Sequence, residues 1–174
     1  MKKFNTVRLC RAGVIAGLYA TLNYAFAPVA FGAFQIRPAE ALCILPLIFP
    51  ESVWALFVGC ILSNLLSPFF LYDVVFGSLA TLLASFCTYF IGKKISKKWL
   101  KLLLGGFSPV FFNTLIIPYI IVFLCGDLGS SATLFTAYLY TAFSIFITET
   151  VCVYGFGIPL YKTIKKITQT PKTD

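Results

Sequence analysis

At 174 residues, 59% of them hydrophobic and 11% charged, with a mean hydropathy of +0.91, the chain lies far below the roughly 25% charged share of a soluble globular domain. A crossing takes about 20 mostly apolar residues, so composition indicates an all-α integral membrane protein of roughly six spans, one compact bundle over residues 1–174, and leaves no room for a soluble domain. The net charge of +8 does not point to nucleic acid. Of 14 Lys and Arg, four precede the first apolar run, five lie from Lys93 to Lys101 and four follow the last run, leaving Arg37 alone elsewhere. This clustering follows the positive-inside rule and puts the N-terminus, the 93–101 loop and the C-terminus on the cytoplasmic side.

In chain order, the expected spans are 7–27, 38–50, 53–67, 72–92, 100–124 and 133–161. The first follows a basic start and has no small-residue cleavage site, so it reads as a retained span rather than a signal peptide. It carries Ala12, Ala16 and Ala20 every fourth residue, a ridge of small side chains that lets another helix backbone come close. Residues 27–38, 66–72 and 125–132 fall outside the cell and 49–52 inside. The segment 39–50 is short for a full crossing, so a tilt or an interfacial start is expected there. Six cysteines stand singly, without histidine or a CxxC pair, and no metal site or cofactor is expected.

The polar residues that interrupt these runs need a reason, because an ionisable side chain in the bilayer centre costs about 2.5–3.5 kcal/mol on insertion scales. Gln35, Arg37 and Glu40 lead into the second span, Asn64 lies in the outer part of the third and Asp73 opens the fourth. Asn113 and Glu149 lie deeper, near the middles of the last two. Pro38 suits a first helical turn and holds Arg37 extended, and Glu40 then meets the positive end of the helix dipole. Arg37 and Glu40 can simply pair across that turn. Alternatively Gln35, Arg37, Glu40, Asn64 and Asp73 converge in a recessed patch on the outer side, walled by Phe31, Phe34, Phe69, Phe70 and Tyr72. Such a patch suits a flat hydrogen-bonding heterocycle, with rings stacking on its faces and a carboxylate accepting paired N–H donors. A cationic substituent would call for a second carboxylate, Asp73 or Glu149.

No histidine base, GxSxG or phosphate-cradling GxxxxGKS occurs in the sequence, so neither catalysis nor nucleotide hydrolysis is expected of this chain. A gradient-driven carrier, a membrane-embedded enzyme using Glu149 and Asp73, and an assembly subunit stay open as alternatives.

The segment FGAFQIRPAEAL (Phe31 to Leu42), the later DVVFGSLATLLAS (Asp73 to Ser85) and the alanine-ridged first helix between basic ends together resemble the QueT family. Its members are substrate-binding S components of energy-coupling factor (ECF) transporters. The resemblance implies a six-helix S-component bundle that captures a queuosine precursor, queuine or a related deazaguanine base, from outside. It further implies docking through Ala12, Ala16 and Ala20 onto a transmembrane scaffold subunit, EcfT, which carries two ABC-type ATPases. The matching motif positions Gln35, Arg37, Glu40 and Asp73 are the implied substrate contacts.

Overall fold

The computed structural model describes residues 6–30, 35–127, 129 and 133–169, and the only regular structure among them is helical. Helix α1 spans Thr6–Ala25 and is followed by a single turn, Ala27–Ala30. A 3₁₀ helix occupies Pro38–Leu47 and α2 occupies Ser52–Asn64. The long helices are α3 (Phe70–Lys94), α4 (Lys98–Leu124) and α5 (Leu134–Thr168). These last three are the ones long and apolar enough to cross a membrane. Helix α1 has 20 residues but carries Arg8 and Arg11. Three helices thus meet both the length and the apolarity of a crossing, and α1 meets the length alone.

The 3₁₀ helix is the centre of the molecule. Arg37 is extended (φ −109°, ψ 91°), as a residue before proline must be, and Pro38 then opens the helix where its missing N–H is no loss. At about 2.0 Å rise per residue, the ten residues Pro38–Leu47 reach about as far as the thirteen α-helical residues of α2, roughly 20 Å. Neither matches the roughly 30 Å of a bilayer core. The 3₁₀ helix does not need to face lipid, because every residue from Ala39 to Leu47 is buried. Irregular backbone at membrane depth is tolerated only under such protein cover.

Small residues let the surrounding helices close on it. A Cβ added at Gly105 of α4 would lie 2.8 Å from a Leu47 methyl, and one at Gly157 of α5 would lie 3.0 Å from the Ala41 carbonyl oxygen. On the opposite side, Ile15, Ala16 and Tyr19 of α1 pack with Leu42, Cys43 and Leu45 of the 3₁₀ helix and with Ala55, Leu56 and Cys60 of α2. Buried hydroxyls tie α3 to α4: Thr88 donates to the Gly105 carbonyl and Ser108 to the Ala84 carbonyl, each at 2.9 Å. Interhelical bonds of this kind are worth about 0.6 kcal/mol each in a membrane.

Three of the helices contain a π-helical stretch: Asp73–Gly77 in α3, Ile120–Leu124 at the end of α4 and Val151–Phe156 in α5. Two of these adjoin a buried acid, since Asp73 opens the first and Glu149 precedes the third by two residues. Such widened turns are frequent at functional sites. At the end of the bundle marked by Glu51, Arg11 of α1 donates to Glu51 at 2.7 Å and its guanidinium lies 4.2 Å from the centre of the Phe49 ring. This contact holds the start of α1 against the turn between the 3₁₀ helix and α2.

Candidate substrate-binding site

Arg37, Glu40, Asn64, Asp73, Asn113 and Glu149 are all buried, none more than 7% exposed. Position and burial follow from the elements that carry them. Glu40 sits in the first turn of the 3₁₀ helix and points at α1, where Tyr19 donates its hydroxyl to Oε1. The Cys43 thiol donates to Oε2 of the same carboxyl at 3.0 Å, one 3₁₀ turn away. Asn64, at the end of α2, donates to the Asp73 backbone carbonyl at 2.7 Å. Ser67, in the turn that follows, donates to Asp73 Oδ2. Across the core, Asn113 of α4 donates to Glu149 Oε1 of α5 at 3.0 Å.

Arg37 links these groups. Its Nε donates to the Ala30 carbonyl and its terminal amine to Gln35 Oε1, both at 3.4 Å. Gln35 holds a positive φ of 48°, an uncommon conformation for a side-chain-bearing residue, and strain of this kind concentrates at ligand sites. The Arg37 guanidinium interacts electrostatically with Asp73 and Glu40. Glu149 in turn interacts with Glu40 and with Arg37. The buried charges thus come from the start of the 3₁₀ helix, α3 and α5, while α1, α2 and α4 supply the neutral partners Tyr19, Asn64 and Asn113.

Among the described residues, buried side-chain atoms without a hydrogen-bond partner include both amide atoms of Asn23, Asn64 Oδ1, Asp73 Oδ1 and Glu149 Oε2, and also the hydroxyls of Ser78, Ser85, Thr114 and Ser144. Each unpaired buried polar atom costs about 1–3 kcal/mol, which a polar ligand reaching it would recover. A second feature lies elsewhere, a cavity of about 300 Å³ lined by Lys98, Tyr161, Lys162, Lys165 and Lys166. It shares no residue with the polar core.

Of the polar residues of the expected patch, Arg37, Glu40, Asn64 and Asp73 are buried, with Arg37 bonded to Gln35 and Asn64 to the Asp73 backbone. Phe31 and Phe34 lie outside the described residues. Phe70 and Tyr72 are 47% and 38% exposed, so they face outward instead of lining the core. Tyr19, Cys43 and Ser67 are contributors that the sequence reading missed. Tyr19 is fully buried at spacing i−4 from Asn23, and that pairing on one helix face was the available signal. The alanine ridge of α1 is also placed: Ala16 and Ala20 are buried and Ala12 is half-buried, while Gly13 and Gly17 look into open space. Across the interface, a Cβ at Gly59 of α2 would come 2.9 Å from the Ala16 carbonyl oxygen. The ridge therefore seats α2 within this chain.

With this geometry established, the sequence matches the QueT transporter family over residues 9–166. The chain belongs to that family. It is 32% identical over 84 residues to a protein of Lactococcus lactis subsp. cremoris (strain MG1363) described as "Queuosine precursor transporter QueT". The matched stretch spans 47% of this chain and 49% of that relative. No solved structure matches the chain. Membership in a QueT transporter family, together with three helices of crossing length, makes this a helical membrane protein.

Proposed function

We propose that this chain is the membrane substrate-capture subunit, or S component, of an ECF-type importer, and that it binds a queuosine precursor, a deazaguanine base, in the polar core. The observation that carries this reading is the Glu40 carboxyl, buried and already steadied by Tyr19 and Cys43. A carboxylate has about four lone-pair positions, so two remain for the parallel N–H donors on the guanine-like edge of the base. Asn64 Oδ1 and the Asn23 amide supply further acceptors and a donor suited to a lactam. The description of the Lactococcus relative names the same class of compound. In this reading the chain crosses the membrane six times with both ends in the cytoplasm, and Lys93, Lys94, Lys162, Lys165 and Lys166 lie on that side.

Energy comes from the partner module, whose ATPases hydrolyse ATP, and the chain docks on the scaffold subunit through α1. Ala16 packs against α2 and Ala20 is buried, so the docking face runs through Ala12, Gly13 and Gly17. Cells producing this chain together with the scaffold and both ATPases should accumulate labelled queuine, and cells lacking the module should not. Gly13→Leu with Gly17→Leu should abolish uptake while leaving binding to the purified chain unchanged. Uptake without the module that collapses with a protonophore would show a gradient-driven carrier instead.

A further inference from the structure

We propose that the lysine-lined cavity at the far end of the bundle from Glu40 is a phosphate-binding site, and that the headgroup of an anionic lipid fills it. Its volume of about 300 Å³ lies at the lower end of the range for small-ligand pockets, roughly 300–1,000 Å³. Four of the five residues that line it are lysines, Lys98 from the first turn of α4 and Lys162, Lys165 and Lys166 from the last part of α5. The fifth, Tyr161, is 3% exposed and packs with Ile44 and Leu47 of the 3₁₀ helix and Leu102 of α4. Lys165 lies over its ring, with Nζ 5.8 Å from the centroid. Glu40 is in the first turn of the 3₁₀ helix and Leu47 is its last residue, so the polar core and the cavity sit at opposite ends of that segment.

Among the described residues, no carboxyl group lines the cavity. Lys162 and Lys166 stand four residues apart on one helix face, where like charges repel. Lys98 lies where a lysine is least favoured, in the first turn of a helix whose dipole is positive at that end. That turn carries no acidic residue, and Lys97 at the N-cap makes no side-chain cap bond. Lysines from two helices thus converge with a helix N-terminus around one space, and each of these elements favours an oxyanion. The rim shows where the oxyanion comes from. Trp99, next to Lys98, is 83% exposed, and Ile167, next to Lys166, is 70% exposed. An outward tryptophan belongs at the membrane–water interface, which sets the cavity at headgroup depth with apolar side chains beside it for acyl chains. In the orientation proposed above this end faces the cytoplasm, and basic pockets between membrane helices on that side take phosphorylated headgroups.

The test is native mass spectrometry and thermal unfolding of the purified full chain in detergent, with phosphatidylglycerol, phosphatidylcholine or sodium phosphate added at constant ionic strength. Wild type should retain one phosphatidylglycerol at least about fivefold more tightly than phosphatidylcholine, whose choline cation meets the lysines; fivefold is about the worth of one lysine against anionic lipid. Lys162→Gln with Lys165→Gln should remove that preference. Lys93→Gln with Lys94→Gln takes away the same charge outside the cavity and should keep it. Stabilisation by sodium phosphate and not by phosphatidylglycerol would uphold the phosphate site and replace the lipid by a soluble phosphate. A wild type that shows neither the lipid preference nor a response to phosphate, or an equal loss in both double variants, would overturn the site. The wild-type comparison needs no variant, and no readout involves a deazaguanine, so failure here leaves the proposed substrate site untouched.

Discussion

Glu40→Gln is expected to weaken deazaguanine binding by at least tenfold, about 1.4 kcal/mol, without lowering the melting temperature of the ligand-free chain. The carboxyl is 1% exposed and receives Tyr19 and Cys43 on separate oxygens. Gln keeps the shape but turns one acceptor into an N–H₂ group. The Tyr19 hydroxyl can rotate and accept from that group, but the N–H donors of the base cannot, so the contact with the base is the one that becomes repulsive. Affinity and stability therefore separate. Thermal unfolding in detergent, with and without ligand, reads both, and a variant that lost stability while keeping wild-type affinity would make Glu40 a structural group only.

Gly59→Leu should be the most damaging single change to the fold. A side chain there begins 2.9 Å from the Ala16 carbonyl oxygen and 2.9 Å from Tyr19 Cβ, with Ala16 Cα at 3.2 Å. Two of these three atoms are backbone, so α1 itself must move. Overpacking typically costs about 1–3 kcal/mol, and in a bilayer no hydrophobic drive between helices offsets the lost contact. Displacing α1 also withdraws Tyr19 from Glu40, so binding should fall together with the melting temperature. Gly17→Ala on α1 is the control, where an added Cβ meets nothing within 4 Å. It should be neutral or slightly stabilising, as alanine is the better helix former by about 1 kcal/mol. Equal behaviour of the two variants would contradict the packing of α1 on α2.

Much of the site was legible in the sequence because charge is rare and costly in an apolar chain. Arg37, Glu40, Asp73 and Glu149 are conspicuous against their neighbours for that reason alone, and all four are buried in the same core. The partners were harder to see. Tyr19 reads as one more aromatic in an apolar helix, and nothing local says that its hydroxyl ends on a carboxyl 21 positions later. The 3₁₀ form of Pro38–Leu47 was hidden as well. Periodicity distinguishes an exposed face from a buried one, and a segment buried all round, as Ala39 to Leu47 is, presents no such contrast. The shortness of that segment was visible, and its resolution by a stretched, fully enclosed helix was not. Likewise a four-residue alanine spacing fixes a face of α1 but not which neighbour it meets, and α2 takes most of it. Phe70 and Tyr72 illustrate the same gap, since adjacency to Asp73 in sequence did not turn their rings toward it.

The most direct measurement is equilibrium binding to the purified chain without any partner subunit, across queuine, aminomethyl-deazaguanine, cyano-deazaguanine, guanine and riboflavin. A ligand at 100 times its dissociation constant adds about 2.7 kcal/mol to stability, so a thermal shift detects it and titration then gives the affinity. At least one deazaguanine should bind saturably, guanine more weakly and riboflavin not at all. A folded sample that is stabilised by no deazaguanine, or by riboflavin alone, would contradict deazaguanine capture by the Glu40-centred core.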